Sequence, residues 1–251
     1  MNDISAGAYL VKAQEAIDRV ASTQLENVAR AADLMVEGIG RGGVIQVFGT
    51  GHSQAVAMEI AGRAGGLIPA NRIALRDLVL ENGESPSILA DPHLERDPGL
   101  AQRLYDATPT DPSDVFVIIS NSGINGSIVG LASVAKENGH PLIAITSLDH
   151  SGQVESRHPS GAKLSELADV VLDNGGPFGD AALPLPGGGA VCAVSTITSA
   201  LLAQFLTAEV VRRLLDAGEE PPVYLSANVP GGDSHNDALL KRYEGRIRRG
   251  G

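Results

Sequence analysis

Residues 43–63 constrain the fold of this chain most strongly, because they join a strand pattern, a glycine turn and a helix pattern. Residues 43–48 are mostly apolar and β-branched, as is typical of a buried parallel strand. The next five residues read Gly-Thr-Gly-His-Ser, and Gly49 and Gly51 let the backbone turn sharply and approach a ligand. Apolar residues then recur at helical spacing. The stretch predicts a strand, a tight turn and a helix whose free N–H groups suit an anion.

A second strand, turn and helix repeat this arrangement. Residues 114–119 form an apolar run, residues 120–127 read Ser-Asn-Ser-Gly-Ile-Asn-Gly-Ser, and an amphipathic helix pattern follows up to Gly139. Hydroxyl-rich loops are also ordinary turns. Two of them, each at the carboxyl end of a predicted parallel strand, favour a phosphate site built from hydroxyls and backbone N–H groups.

Two familiar glycine motifs are excluded at the first turn. A Walker A loop requires a Lys-Ser or Lys-Thr pair, and a dinucleotide fingerprint requires a third glycine where Gln54 stands. Ser53 is therefore the informative residue of this turn. Its hydroxyl can cap the helix or bind a phosphate oxygen, and the turn alone leaves both alternatives open.

The remaining patterns predict an α/β fold with a doubly wound, mostly parallel, five-stranded sheet flanked by helices. Strand and helix patterns alternate at βαβ spacing, with further strands expected at residues 67–69, 141–146 and 169–172. Residues 70–112 lack clear periodicity and are interpreted as a flap over the site. Residues 173–189 are predicted to be a loop, and residues 191–217 the longest apolar helix.

Three segments follow from these patterns. Residues 1–42 are predicted to form an N-terminal helical extension, with helix over residues 4–38 in two pieces, and we interpret it as a packing or dimerisation element. Residues 43–218 form the α/β domain. Residues 219–251 form a C-terminal segment that contributes to the site or to an interface.

The composition narrows the classes of partner. The net charge is −11, aromatic residues make up 3% and Trp is absent, which argues against nucleic-acid binding. Cys192 is the single cysteine, so an internal disulfide is excluded. The first residues do not resemble a signal peptide, and no apolar run is long enough for a membrane span. We therefore expect a cytoplasmic protein that binds no membrane.

The two loop motifs resemble those of the sugar isomerase (SIS) domain, a phosphosugar-binding α/β fold, over residues 30–215. Within that superfamily the chain is similar to phosphoheptose isomerases, N-acetylmuramic acid 6-phosphate etherases and stand-alone SIS proteins of similar length. In such domains the serines of the two loops hold the sugar phosphate, and they match Ser53, Ser120 and Ser122. The family usually has Thr where Asn125 stands, and Ser127 is the candidate replacement.

The predicted binding set also contains neighbouring residues of the same motifs. Gly51 allows close backbone approach, and His52 either faces the ligand or covers the helix end. Asn121 lies between the two serines of the second loop. Arg63 belongs to the predicted binding set because residues 59–63 match a Glu-x-x-Gly-Arg motif that phosphoheptose isomerases carry.

Glu59 is the predicted general base. The resemblance implies acid–base work for this carboxylate, since a shielded carboxylate has a raised pKa and can remove the C2 proton of a sugar. The alternative is an i,i+4 surface pair with Arg63, worth about 0.2–0.5 kcal/mol. A second group must open the ring or protonate a leaving oxygen. His235 is the first candidate, since SIS sites commonly take a residue from a partner subunit or the C-terminal segment, and Glu84 and His93 follow.

We expect a sugar-phosphate enzyme that uses neither a cofactor nor a metal. His93 and Glu95 are close in sequence but lack a third metal ligand. The reaction expected first is elimination from an N-acetylhexosamine 6-phosphate such as N-acetylglucosamine 6-phosphate, because residues 70–112 and 226–236 could enclose an acetamido sugar. The alternatives are aldose–ketose isomerisation and a non-catalytic phosphosugar sensor. SIS regulators carry a basic DNA-binding domain before the SIS domain, and residues 1–42 are too short to form one. We also expect the protein to form a homodimer or a homotetramer.

Overall fold

The fold is described by a computed structural model covering residues 4–248. The outer ends of the predicted N-terminal extension and C-terminal segment, residues 1–3 and 249–251, lie outside the described residues. The strands are β1 (Ile45–Gly49), β2 (Ala70–Ile73), β3 (Val115–Ile119), β4 (Leu142–Thr146), β5 (Val170–Asp173), β6 (Ala181–Pro184) and β7 (Ala190–Ala193). The helices are α1 (Ala6–Thr23), α2 (Leu25–Gly40), α3 (Ser53–Ile60), α4 (Asp77–Leu80), α5 (Leu100–Ala107), α6 (Gly126–Glu137), α7 (Leu148–Gly152), α8 (Leu164–Leu167), α9 (Ser195–Asp216) and α10 (Gly232–Leu240).

The main sheet has five parallel strands in the order β2-β1-β3-β4-β5. This confirms the predicted fold class. The strand order reverses between β1 and β3, where Ile45 pairs with Val115 and Gly49 with Ile119. In an open parallel sheet, a crevice forms at the carboxyl ends of the strands at such a reversal. The two predicted loops follow these two strands.

Two hydrophobic clusters cover the two faces of the sheet. Along β3, Val117 joins the cluster beneath α2 and α9, whereas Phe116 and Ile118 join the cluster beneath α5 and α6. All five β3 residues are buried, which explains why the strand reads as a continuous apolar run.

The edge strand was predicted at residues 67–69, and this placement is wrong. Pro69 has no N–H to donate; its carbonyl accepts from the Ile45 N–H at 2.8 Å, and the paired strand β2 begins one residue later. β2 contains Asn71 and Arg72, so its sequence does not read as a strand. Asn71 is nevertheless buried because its amide donates to Gln46 at 2.8 Å.

The segment before the longest helix also differs from the prediction. Residues 173–189 were expected to be a loop and the helix to begin at residue 191, but β6 and β7 form an antiparallel hairpin there. α9 begins only at Ser195, whose backbone N–H and hydroxyl both donate to the Asp180 carboxylate, at 2.9 and 2.5 Å. Cys192 has φ +69°, which a helix cannot contain.

The N-terminal helices form two pieces, as predicted. α2 packs on α9, whereas α1 buries Ala13, Ala16 and Val20 and leaves Leu10 and Val11 more than half exposed. Across residues 4–248, no helix combines the length and the apolar character needed to cross a membrane.

Candidate functional site

A cavity of about 680 Å³ lies at the carboxyl ends of β1 and β3, at the reversal of strand order. Both predicted loops line it, so the structure brings seven predicted binding residues together: Gly51, His52, Ser53, Ser120, Asn121, Ser122 and Asn125. Its volume lies within the range of small-molecule sites.

The first loop is shaped by its two glycines. Gly51 has φ +54°, and a Cβ on Gly49 would lie 2.7 Å from the Ser53 carbonyl oxygen, so both positions disfavour a side chain. α3 starts at Ser53, and no described side chain caps its first turn. The helix-cap alternative for Ser53 is therefore not observed, and its half-buried side chain lines the cavity instead.

The second loop is held by its own polar groups. The Ser120 hydroxyl accepts from the Gly123 N–H at 3.1 Å, and the Asn121 side-chain oxygen accepts from the Asn174 amide at 3.1 Å. Ser120 keeps a hydroxyl proton for a ligand, and Ser122 lines the cavity as a half-buried side chain. Fixed hydroxyls beside a helix N-terminus can bind a phosphate without prior rearrangement.

Asn125 joins two charged side chains at the cavity. Its side-chain Nδ2 donates to the Glu95 carboxylate at 2.8 Å, and its Oδ1 accepts from the Arg157 guanidinium at 2.7 Å. From the sequence, Glu95 is a candidate only for a metal ligand, and Arg157 is not a predicted site residue. Their positions depend on long-range contacts, so no local pattern in the sequence reveals them.

The opposite wall comes from the hairpin and the start of α9. Asp180 and Cys192 line the cavity and adopt positive φ angles of +60° and +69°. The His150 ring also lines it, and its Nδ1 accepts from the Gly179 N–H at 3.1 Å. Sequence reasoning missed all three; a non-glycine residue at positive φ is not readable from the sequence alone.

The other predicted residues do not line this cavity. Ser127 is fully buried and its hydroxyl donates to the Glu95 carbonyl at 2.7 Å, so the structure does not support a phosphate contact for it. Glu84 pairs with Arg103, with an Nε–Oε1 distance of 3.0 Å. The His235 Nε2 lies 3.0 Å from the Val223 carbonyl oxygen and donates to it.

Glu59 and Arg63 form the i,i+4 ion pair that was the alternative to a catalytic role. Arg63 lines a second cavity of about 610 Å³ at the far end of α3, together with Arg72 and Arg248. The pKa of Arg72 is lowered from its ordinary value because burial disfavours its charged form and Arg76 lies nearby. The catalytic roles of Glu59, Glu84 and His235 stay predictions.

No cluster of three or more His, Cys, Asp or Glu side chains suited to a metal ion occurs within residues 4–248. The polar groups at the main cavity are instead hydroxyls, amides, two carboxylates, two imidazoles and one guanidinium. Such a set suits an oxygen-rich anionic ligand.

Comparison with known proteins gives a consistent result. The family model described as the SIS domain matches residues 8–147. A UPF0309 protein of Listeria monocytogenes is 40% identical over 243 residues, covering 95% of this chain and 97% of that protein. Phosphoheptose isomerases from Neisseria gonorrhoeae and Francisella tularensis share the fold, with TM-scores of 0.55 and 0.57 and identities of 20% and 18%. Each alignment covers 82% of this chain and 96% of the isomerase.

Proposed function

This chain belongs to the SIS domain family, and we propose that it is an enzyme that binds a sugar phosphate and removes the C2 proton of the sugar. The observation that carries the proposal is the convergence of the two serine loops on one cavity at the reversal of strand order. Ser53, Ser120 and Ser122 lie there with the N-terminus of α3 and with Asn125, the residue that precedes α6. Hydroxyls and helix N-termini together suit a phosphate ester.

The proposed reaction is elimination of water from an N-acetylhexosamine 6-phosphate such as N-acetylglucosamine 6-phosphate. In the open-chain aldehyde, the base takes the C2 proton and the carbonyl delocalises the charge. An acetamido group at C2 closes the path to a ketose, so the C3–O bond breaks and the C3 hydroxyl leaves, with a proton from an acid, as water. A C2–C3 double bond remains. Glu95 of the flap and residues of the hairpin line the cavity, and its volume of about 680 Å³ supports a sugar phosphate as the occupant.

Glu59 is the proposed base and His235 the proposed acid. Glu59 lies six residues beyond Ser53 on α3, about 9 Å along the helix axis. That distance is comparable to the length of a hexose phosphate. Because neither residue lines the cavity of a single chain, we place the complete site between two copies of the chain, as the SIS resemblance implies.

Isomerisation is the second candidate. It is favoured by the likeness in fold to two phosphoheptose isomerases. If the substrate carries a hydroxyl at C2, the same proton removal gives an enediol and then a ketose phosphate. A third outcome, binding without turnover, would make the protein a phosphosugar sensor.

The test is incubation in D₂O with four candidates, followed by NMR: glucosamine 6-phosphate, N-acetylglucosamine 6-phosphate, N-acetylmuramic acid 6-phosphate and sedoheptulose 7-phosphate. We expect an unsaturated product from N-acetylglucosamine 6-phosphate and deuterium at C2 of recovered substrate. A ketose phosphate product would replace elimination by isomerisation. Stabilisation against heat by these ligands, without any turnover, would leave only the sensor function.

A further inference from the structure

A phosphate bound in the main cavity needs a positively charged partner, because the protein around it is acidic. The chain has a net charge of −11, and the carboxylates of Glu95 and Asp180 line the cavity. The two serine loops offer hydroxyls and N–H groups, which carry no full positive charge. Among the described residues lining this cavity, Arg157 supplies the one Lys or Arg side chain.

Arg157 is fixed to the second loop at two points. Its backbone N–H donates to the Ile124 carbonyl at 3.0 Å, and its guanidinium donates to the Asn125 Oδ1 at 2.7 Å. A guanidinium has five N–H donors in a rigid fork, so further donors remain for a ligand. This fork matches the geometry of a phosphate group.

The orientation of Asn125 is set by chemistry. A guanidinium only donates and a carboxylate only accepts, so Oδ1 must face Arg157 and Nδ2 must face Glu95. Asn125 is 7% exposed, and both ends of its amide are engaged. It therefore holds Arg157 in place rather than bonding a phosphate itself.

Glu95 is in turn fixed to the start of α6. Its carbonyl accepts from the Ser127 hydroxyl at 2.7 Å. A Cβ on Gly126 would lie 2.1 Å from the Arg96 carbonyl oxygen, so the flap backbone packs directly on the helix N-terminus. Three segments distant in sequence are thus joined by one chain of contacts that ends at the guanidinium.

We propose that Arg157 is a phosphate-binding residue of this site, and that Asn125 and Glu95 are the residues that position it. This inference rests on the proposed sugar-phosphate function and adds a charged contact to it. It also changes the role expected for Asn125, from a direct ligand contact to a positioning residue.

The test is calorimetry with N-acetylglucosamine 6-phosphate, unphosphorylated N-acetylglucosamine and inorganic phosphate. Arg157→Gln should weaken binding of the phosphorylated sugar by roughly tenfold to a hundredfold, because it removes a charged hydrogen bond. Affinity for the unphosphorylated sugar should not change. Arg157→Lys keeps the charge without the fork and should give an intermediate affinity.

The positioning of Arg157 by Asn125 is tested by asking whether the effects of substituting the two residues on binding add. Asn125→Ala frees Arg157 to turn toward Glu95 and should weaken sugar-phosphate binding, whereas Arg157→Gln combined with Asn125→Ala should bind no more weakly than Arg157→Gln alone. Arg212→Gln is the matched control, since Arg212 occupies an exposed position of α9 and pairs there with Glu209 and Asp216. Thermal melting checks that each variant is folded.

Each result decides the inference. Wild-type affinity in Arg157→Gln, while Ser122→Ala binds weakly, overturns the role of Arg157 and leaves the proposed function intact. If the wild type binds inorganic phosphate but no sugar phosphate, the proposed function fails, and the effect of Arg157→Gln on phosphate affinity still decides the inference. If the wild type binds neither, both fail.

Discussion

The two ends of the parallel sheet differ in how their polar groups are paired: one end buries them with partners, and the other leaves them accessible. At the amino end, Asp114 is fully buried, and its carboxylate accepts from the Val44 N–H at 2.8 Å, the Gln46 amide at 2.9 Å and the Asp111 N–H at 3.0 Å. The Arg246 guanidinium donates to it at 2.6 Å. Both oxygens of the Asp114 carboxylate thus have partners within the protein, and the bond from Arg246 joins the C-terminal segment to this end of the sheet.

At the carboxyl end, polar side chains that lie beyond the strands line an open cavity. Ser53 and Ser122 face it, and Arg157 is held there with guanidinium donors to spare. Buried polar groups in proteins are normally satisfied, and Asp114 follows this rule. Ser53 and Ser122 are half-buried and Arg157 is exposed, so these side chains stay accessible to a ligand. The difference between the two ends locates the function more directly than either end alone.

The largest expected effect concerns the reaction. Glu59→Gln should retain sugar-phosphate binding and lose roughly 10²–10⁴ in rate, because the base is removed while the serine loops remain. Rates and affinities for N-acetylglucosamine 6-phosphate measure the two parts separately.

Glu209→Gln is the matched control, since Glu209 pairs with Arg213 at the same i,i+4 spacing on α9. Full activity in Glu59→Gln would show that the pair with Arg63 is structural and that the base lies elsewhere.

The next largest effect should be a loss of folding stability when the buried network at the amino end of the sheet is broken. Asp114→Ala leaves its donors, including a guanidinium, without their acceptor, and should lower the free energy of unfolding by about 3–5 kcal/mol. Urea denaturation measures it. Asp216→Ala, an exposed aspartate paired with Arg212, should cost less than about 1 kcal/mol. Equal losses in the two variants would contradict the view that the amino-end network is structural.

Ser122→Ala, at the carboxyl end of the sheet, should instead weaken ligand binding and leave folding stability nearly unchanged. We expect about tenfold weaker binding of a sugar phosphate or more, because a hydroxyl bonded to a charged oxygen contributes about 1.5–3 kcal/mol, with little change in thermal stability. Ser133→Ala, whose hydroxyl bonds the Val129 carbonyl within α6, is the control. Unchanged calorimetric affinity in Ser122→Ala would remove the second loop from the site.

The sequence predicts those parts of the two ends that depend on contacts between residues close in the chain, and it misses those that depend on distant residues. The two turns were predictable because Gly49, Gly51 and Gly123 mark backbone conformations that are set locally. β2 was misplaced because Asn71 is buried through bonds to two residues distant in sequence, the side chain of Gln46 and the backbone N–H of Arg248.

The same limit applies to the charged part of the site. Arg157 lies 32 residues from Asn125, which lies 30 residues from Glu95. Periodicity and turn chemistry report on neighbours within a few residues, so they predict the serine loops and miss the guanidinium. The hairpin was missed for a related reason, since α9 begins where distant Asp180 accepts from Ser195.

The smallest expected effect extends the comparison to a surface at neither end of the sheet. Leu10 and Val11 on α1 are 57% and 51% exposed, and we expect a second copy of the chain to cover them. Burying the exposed half of one such side chain contributes about 1–1.5 kcal/mol, so Leu10→Glu should weaken self-association about tenfold, with a further loss from desolvating the charge. Light scattering across a concentration series measures this shift, and Lys12→Glu, on the same exposed turn and paired with Glu15, tests for a general effect of charge. A wild-type monomer at micromolar concentration would contradict the dimer, and with it the proposal that Glu59 and His235 reach the cavity between two copies.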